Sequence, residues 1–264
     1  MSSRRLVVST VGIAAAGVIA YIIYRNRPAQ RVSRLVALSA RQFRAKDYDA
    51  SLKTALEALA LANGTCPRSS AHLGALLHLA GYYGAVNIHD EGLSRIEELL
   101  TLTKDVHGAD SLLMLPALHA KAELLESSGR PLAEVAESLG RAREIRRQSC
   151  GEASIDSAFA SFNLASCLLR GAAEEGIAEG TMKALLSQAS GLAMEACSIA
   201  RVLGELDQAA EFASQLLNAL AELDNIDAAT LAGRLRDVYL DATGEEWREA
   251  DDEPSPEEED ADQS

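Results

Sequence analysis

A chain of 264 residues with 48% hydrophobic residues can bury one or two ordinary cores, but at 4% aromatics those cores must be built mainly from Ala and Leu. Those are strong helix formers, prolines number six, and strand-type runs are missing beyond the first segment, so the fold class is all-α. A net charge of −14 excludes nucleic acid as a partner, because neutralising phosphates requires a basic face.

The charge is unevenly distributed. Nine basic residues and no acid precede Asp47, whereas eleven acids and the single Arg248 follow from Glu245 onward. After the short tail 1–5, Leu6 to Tyr24 gives nineteen uncharged residues. At about 1.5 Å per residue such a helix just covers a hydrocarbon core of about 30 Å. Arginines bound it on both sides, and Tyr21 and Tyr24 stand where an interfacial aromatic belt would be. A secretory signal peptide is the competing reading, with Arg4 and Arg5 as its basic start and "AAAG" offering cleavage at Ala16. The apolar run nevertheless continues through Val18, Ile19, Tyr21, Ile22 and Ile23, which favours an uncleaved transmembrane helix over 6–24. Arg25, Arg27, Arg31, Arg34, Arg41 and Arg44 outnumber Arg4 and Arg5, so the charge rule places everything after Tyr24 in the cytosol. Gly12, Ala16 and Ala20 have the small-xxx-small spacing of a membrane-helix dimer, or are simply the small residues common in such anchors. The span with its basic flanks resembles the N-terminal signal anchors of mitochondrial outer-membrane proteins. That resemblance implies a single-pass protein of the mitochondrial outer membrane, with endoplasmic reticulum and peroxisome as other addresses.

A basic juxtamembrane linker is expected at 25–31, a helical domain at 32–242 and a disordered acidic tail at 243–264. Apolar periodicity and turn residues place helices at 29–46, 48–63, 69–86, 90–106, 110–128, 132–149, 153–171, 181–203, 206–223 and 226–242. "LAGYY", "KAELL" and "LASCL" align through Ala80, Ala122 and Ala165, spaced 42 and 43 apart. Upstream of each, Gly64, Gly108 and Gly151 mark turns spaced 44 and 43. "GAAEEGIAEG" at 171–180 reads as a glycine-broken insertion that loosens the fourth helix pair.

The stretch "QFRAKDYDASLKTALEALAL", Gln42 to Leu61, resembles a tetratricopeptide repeat (TPR). Tyr48 matches the aromatic after the turn, Ser51 and Ala58 the small residues where two helices cross, and Leu52 and Leu59 the apolar positions. The first-helix Trp, Leu and Gly positions are poorly matched, and the later units lack the aromatic. The period near 43 and "REIRRQSCGEASIDSAFASFNLASCLL" are similar to the kinesin light chain variety of the repeat. The resemblance spans roughly Val32 to Leu240 and implies about five helix pairs stacked into a TPR-like helical-hairpin superhelix. In this arrangement Tyr48, Ser51, Ala58, Ala80, Ala122 and Ala165 are packing positions. Combined with the leader, the pattern resembles mitochondrial outer-membrane TPR receptors. An Ala/Leu helical bundle without the motif is the alternative.

Catalysis and metal binding find little support. His72, His78, His89, His107 and His119 form no H-E-x-x-H pattern, and His89 looks like a helix-start group. There is no phosphate-binding loop or nucleophile motif, and paired carboxylates such as Glu97 and Glu98 fall on solvent faces. No cofactor is expected. Cys66, Cys150, Cys167 and Cys197 form no C-x-x-C pair and read as packed thiols in a reducing compartment.

Binding remains. The inner surface of such a stack comes from the first helix of each pair, which nominates Arg41, Arg44, His78, Tyr82, His119, Asn163 and Arg170, with Tyr83 beside them. The Lys/Asn/Arg clamp with which some TPR proteins grip acidic chaperone tails is not matched, since Gln42 stands near the expected Asn. The acidic tail either solvates the chain or attracts basic amphipathic segments such as Arg-rich presequences. The expected function is a membrane-anchored adaptor or receptor, in its most specific form a mitochondrial protein-import receptor. The alternative is an inner-membrane assembly or quality-control factor with its repeats in the intermembrane space or periplasm.

Overall fold

A computed structural model describes residues 27–247, apart from 175, 222 and 224. The leader 6–24, its Gly12, Ala16 and Ala20, and the tail from 248 lie outside the described residues. No helix among the described residues is long and apolar enough to cross a membrane. Those residues form ten α-helices, and no strand occurs among them: α1 (Pro28–Arg44), α2 (Tyr48–Thr65), α3 (Ser70–Ala85), α4 (His89–His107), α5 (Leu115–Ser127), α6 (Leu132–Cys150), α7 (Ile155–Ala172), α8 (Glu179–Val202), α9 (Leu206–Leu220) and α10 (Ile226–Thr243).

Local chemistry explains half of the helix starts. Pro28 opens α1, where its fixed φ is already helical and its missing N–H costs nothing. The side chains of Asp47, Ser69, Ser154 and Asn225 accept from backbone N–H groups of the first turns of α2, α3, α7 and α10. Four turns share one device: the residue two past the preceding helix has a positive φ. It is Lys46, Asn87, Gly129 and Gly204 after α1, α3, α5 and α8. Gly108 and Gly151 directly follow α4 and α6 with φ of 88° and 86°. Gly64, which the spacing groups with them, instead lies inside α2. That helix runs on until Cys66 N–H bonds Ala62 O, and the positive φ falls on Arg68.

The described residues fall into two compact units that divide between Ser128 and Gly129. The division runs through the expected third pair, so α6 finds its partner in α7 instead. Within the first unit α1 pairs with α2 and α3 with α4, and α5 packs on α3 and α4. Its core joins Val32, Ala55, Ala58, Leu59, Leu76, Leu79, Ala80, Ile96 and Leu124. Small residues let the backbones close: a Cβ on Gly92 of α4 would stand 3.0 Å from a Leu124 methyl and 3.3 Å from Ala80 O.

In the second unit α7, α8, α9 and α10 share one core, in which Phe162 stacks on Phe212 at 4.7 Å. The fourth pair is not loosened by its glycine-rich connection. Leu164, Leu168, Leu186, Ala189, Leu192 and Ala193 of α7 and α8 lie buried in that core, and Gly176, at φ 79°, makes the turn between them. Trp247, assigned by composition to the tail, packs against this core and lies 5.7 Å under the Arg236 guanidinium. Likewise, Pro28 to Arg31 of the expected linker are already helix.

All four cysteines are free thiols, but not all are packed: Cys150 at the end of α6 is exposed and Cys66 half-buried. Burial pushes the Cys197 thiol up to about 11, so its reactive thiolate is scarce at neutral pH. Alkylation of the native chain should therefore label Cys150 first and Cys66 more slowly. Cys167 and Cys197 should react only in denaturant, as peptide mass mapping will show.

Candidate partner-binding cleft

The first helices of the two pairs in the first unit, α1 and α3, lie side by side. Ala40, Phe43 and Arg44 of α1 and His78, Gly81 and Tyr82 of α3 line a cleft of about 310 Å³ between them. Beneath the lining residue His78 lies a polar cluster at the crossing of α1 and α2. Ser39 and Ser51 are wholly buried, each hydroxyl donating to the other's carbonyl at 2.8 and 2.9 Å. With its single hydrogen engaged, Ser39 Oγ accepts from His78 Nε2–H at 2.9 Å, which assigns the imidazole its Nε2–H tautomer.

Aromatic rings form the adjoining wall. Phe43 meets Tyr48 and Tyr82 edge-on at 5.2 and 5.6 Å, and Tyr82 meets Tyr83 at 5.9 Å. Buried Tyr82 donates its hydroxyl to Tyr48 O at 3.0 Å. Burial, with the Asp49 carboxylate and the two neighbouring phenols, raises its pKa and keeps it a donor. Tyr48 itself is 44% exposed. Its ring packs edge-on against Phe43 and its carbonyl anchors Tyr82, so it is not a core residue. Arg44 Nε donates to Ala40 O at 3.2 Å, holding the guanidinium at the rim.

Of the groove residues nominated by the sequence, Arg44, His78 and Tyr82 converge here. Arg41 lies on the exposed face of α1, outside the cleft lining, and half-buried His119 sits on α5. Asn163, half-buried, and Arg170, exposed, belong to α7 of the second unit. Of the crossing positions, Ser51, Ala58, Ala80 and Ala165 are wholly buried and Ala122 is 4% exposed. Phe43 and Ser39 went unnoticed in the sequence, although a large residue before the Lys46 turn and a serine twelve residues before Ser51 were the available signals.

The second unit has its own polar crossing. Arg143 of α6 donates to buried Ser161 Oγ of α7 at 2.8 Å and to Glu195 Oε2 of α8 at 2.5 Å. Elsewhere in this unit a cavity of about 250 Å³, walled by Leu132, Ala136, Leu168, Gly171, Ile177 and Leu185, is mostly apolar. Among the described residues no group of three or more His, Cys, Asp or Glu could hold a metal ion.

Burial lowers His78 below its ordinary 6.5. It also lowers His72, whose Nδ1 accepts from Arg68 N–H at 3.1 Å and whose remaining nitrogen is buried without a hydrogen-bond partner. Both rings are therefore neutral in the folded chain, while the unfolded chain protonates near 6.5. Stability from this source is complete above 6.5 and is lost as pH falls from there toward the depressed folded values. A thermal-unfolding series between pH 7.5 and about 5 should show the midpoint falling with acidity. His78→Gln, which keeps a donor for Ser39, should flatten the fall without abolishing it, because His72 still titrates.

No family model and no curated protein matches the chain. Solved structures do. A Podosopora anserina protein with nearly identical TPR-like repeats of the kinesin light chain type superposes with a TM-score of 0.63 at 14% identity, covering 83% of this chain and 100% of that one. BtubC (BKLC) from P. vanneervenii superposes with a TM-score of 0.60 at 15% identity, covering 96% of each. At these identities the likeness shows the fold, which is a set of TPR-like helical repeats similar to kinesin light chain. Such folds are generally scaffolds for protein binding.

Proposed function

We propose that the chain is a protein-binding scaffold held at a membrane by residues 6–24, and that the α1–α3 cleft is where a partner segment docks. The observation that carries this reading is the convergence of Arg44, His78, Tyr82 and Phe43 on a cleft that fits one large apolar side chain. Its lining is mostly apolar, with a guanidinium at the rim. The segment that suits it pairs a leucine or aromatic residue with a neighbouring carboxylate for Arg44. In its most specific form the scaffold is a receptor on the mitochondrial outer membrane, with its repeats in the cytosol. The basic flanks of the apolar run support that orientation. Basic presequences would be repelled by Arg41 and Arg44, so a precursor-binding role falls to the acidic residues from Glu245 onward.

Panning a random peptide library against the full chain should enrich acidic–aromatic or acidic–leucine sequences. Arg44→Glu should weaken the selected peptides about tenfold or more. Equal binding to wild type and variant would remove the cleft from the proposal. For the address, a C-terminal fluorescent tag should follow a mitochondrial outer-membrane marker and become diffuse when residues 1–28 are deleted. Repeats that resist protease until the outer membrane is opened would reverse the orientation.

A further inference from the structure

Helix α1 commits one face to the core, where Val32 and Ser39 are wholly buried. The opposite face is a run of arginines. Arg27, Arg31, Arg34, Leu38 and Arg41 follow at intervals of four, three, four and three residues, the spacing of a single helical stripe. Arg31, Arg34 and Arg41 are exposed, and none is ion-paired with an acid among the described residues. Leu38, set among them, is 46% exposed. No acid precedes Asp47, so nothing on α1 itself neutralises the stripe.

We propose that this stripe of α1 docks along the anionic phospholipid headgroups of a bilayer, laying the first unit against the membrane surface. Three features select a lipid surface over other anionic partners. The stripe begins three residues after the uncharged run Leu6–Tyr24, so insertion of that run delivers α1 to the headgroup layer. From Arg31 to Arg41 the charges extend about 15 Å in a straight line, which suits a plane rather than a pocket. An exposed leucine between arginines, whose long stems snorkel, is the composition of an interfacial helix. The inference rests on the membrane reading for bringing α1 to a bilayer, but the attraction of the stripe for anionic lipid is measurable separately.

Orientation decides between a docked and an upright helix. Beyond about 10 Å from the surface, charges are screened at 0.1 M salt. A helix standing upright would leave Arg41 outside that range, whereas a helix lying along the surface brings in all three arginines.

The test reconstitutes the full chain in phosphatidylcholine vesicles, with or without about a third phosphatidylserine, and modifies it with phenylglyoxal, reading each arginine by peptide mass spectrometry. Docking predicts that Arg31, Arg34 and Arg41 each react about fivefold more slowly on the anionic vesicles. About 1 M NaCl should abolish the difference, and Arg236 of the second unit should be unaffected. Equal rates on both vesicles overturn the proposal, as does protection confined to Arg31 or spread evenly over every arginine. Flotation with the purely zwitterionic vesicles reports the apolar run alone. A chain that fails to float there but is protected on anionic vesicles loses its anchor and keeps its stripe.

Discussion

Two α-helices approach to about 8 Å only where the side chains at the crossing are small, and the first hairpin described in this chain meets that condition with two serines. At the first crossing, Ser39 and Ser51 exchange hydrogen bonds with each other's carbonyls, a contact that any larger residue would force apart. Ala58 and Ala80 provide the same closeness deeper in the first unit, and Ala165 and Ala193 in the second. An Ala-rich core buries little area per residue. Such a core is therefore held by many close backbone approaches rather than by a few large side chains, and Leu124 against Gly92 is one of the tightest.

The same crossing builds the cleft. Because serine rather than alanine sits where α1 meets α2, a buried hydroxyl is left beneath the cleft lining, and His78 reaches it from α3. That one hydrogen bond ties the second repeat to the first and assigns the imidazole a tautomer. Tyr82 repeats the device a turn later, reaching across to the carbonyl of Tyr48. Both side chains that look like ligand groups are thus also clamps between repeats.

Charge follows from the same geometry. With its inner face spent on the crossing, α1 places Arg31, Arg34 and Arg41 outward, so part of the basic leader of a strongly acidic chain becomes a solvent-facing stripe. Cleft and charged face therefore lie on different sides of the helix: Arg44 turns to the cleft rim, while Arg31, Arg34 and Arg41 face away from the core.

Helix content, the positions of all ten helices and the repeat spacing were legible in the residues, because apolar periodicity and capping residues act within a few positions of one another. Alanines such as Ala80 and Ala165 could be picked out for the same reason. Three kinds of detail were not legible. Gly64 matched its fellows in spacing, but whether a glycine ends a helix depends on whether the next turn can still close, as Cys66 N–H does on Ala62 O. The division of the chain at Ser128 splits an expected hairpin, since pairing is set by which faces find a partner rather than by sequence order. Among the nominated groove residues, Arg44, His78 and Tyr82 converge while Arg41 does not, because three residues along a helix fall about 60° short of a full turn and point Arg41 away from the lining. Local chemistry thus determined the elements and their ends. Only tertiary packing, which chooses the neighbours of each face, decided that Ser39, Phe43 and His78 would meet.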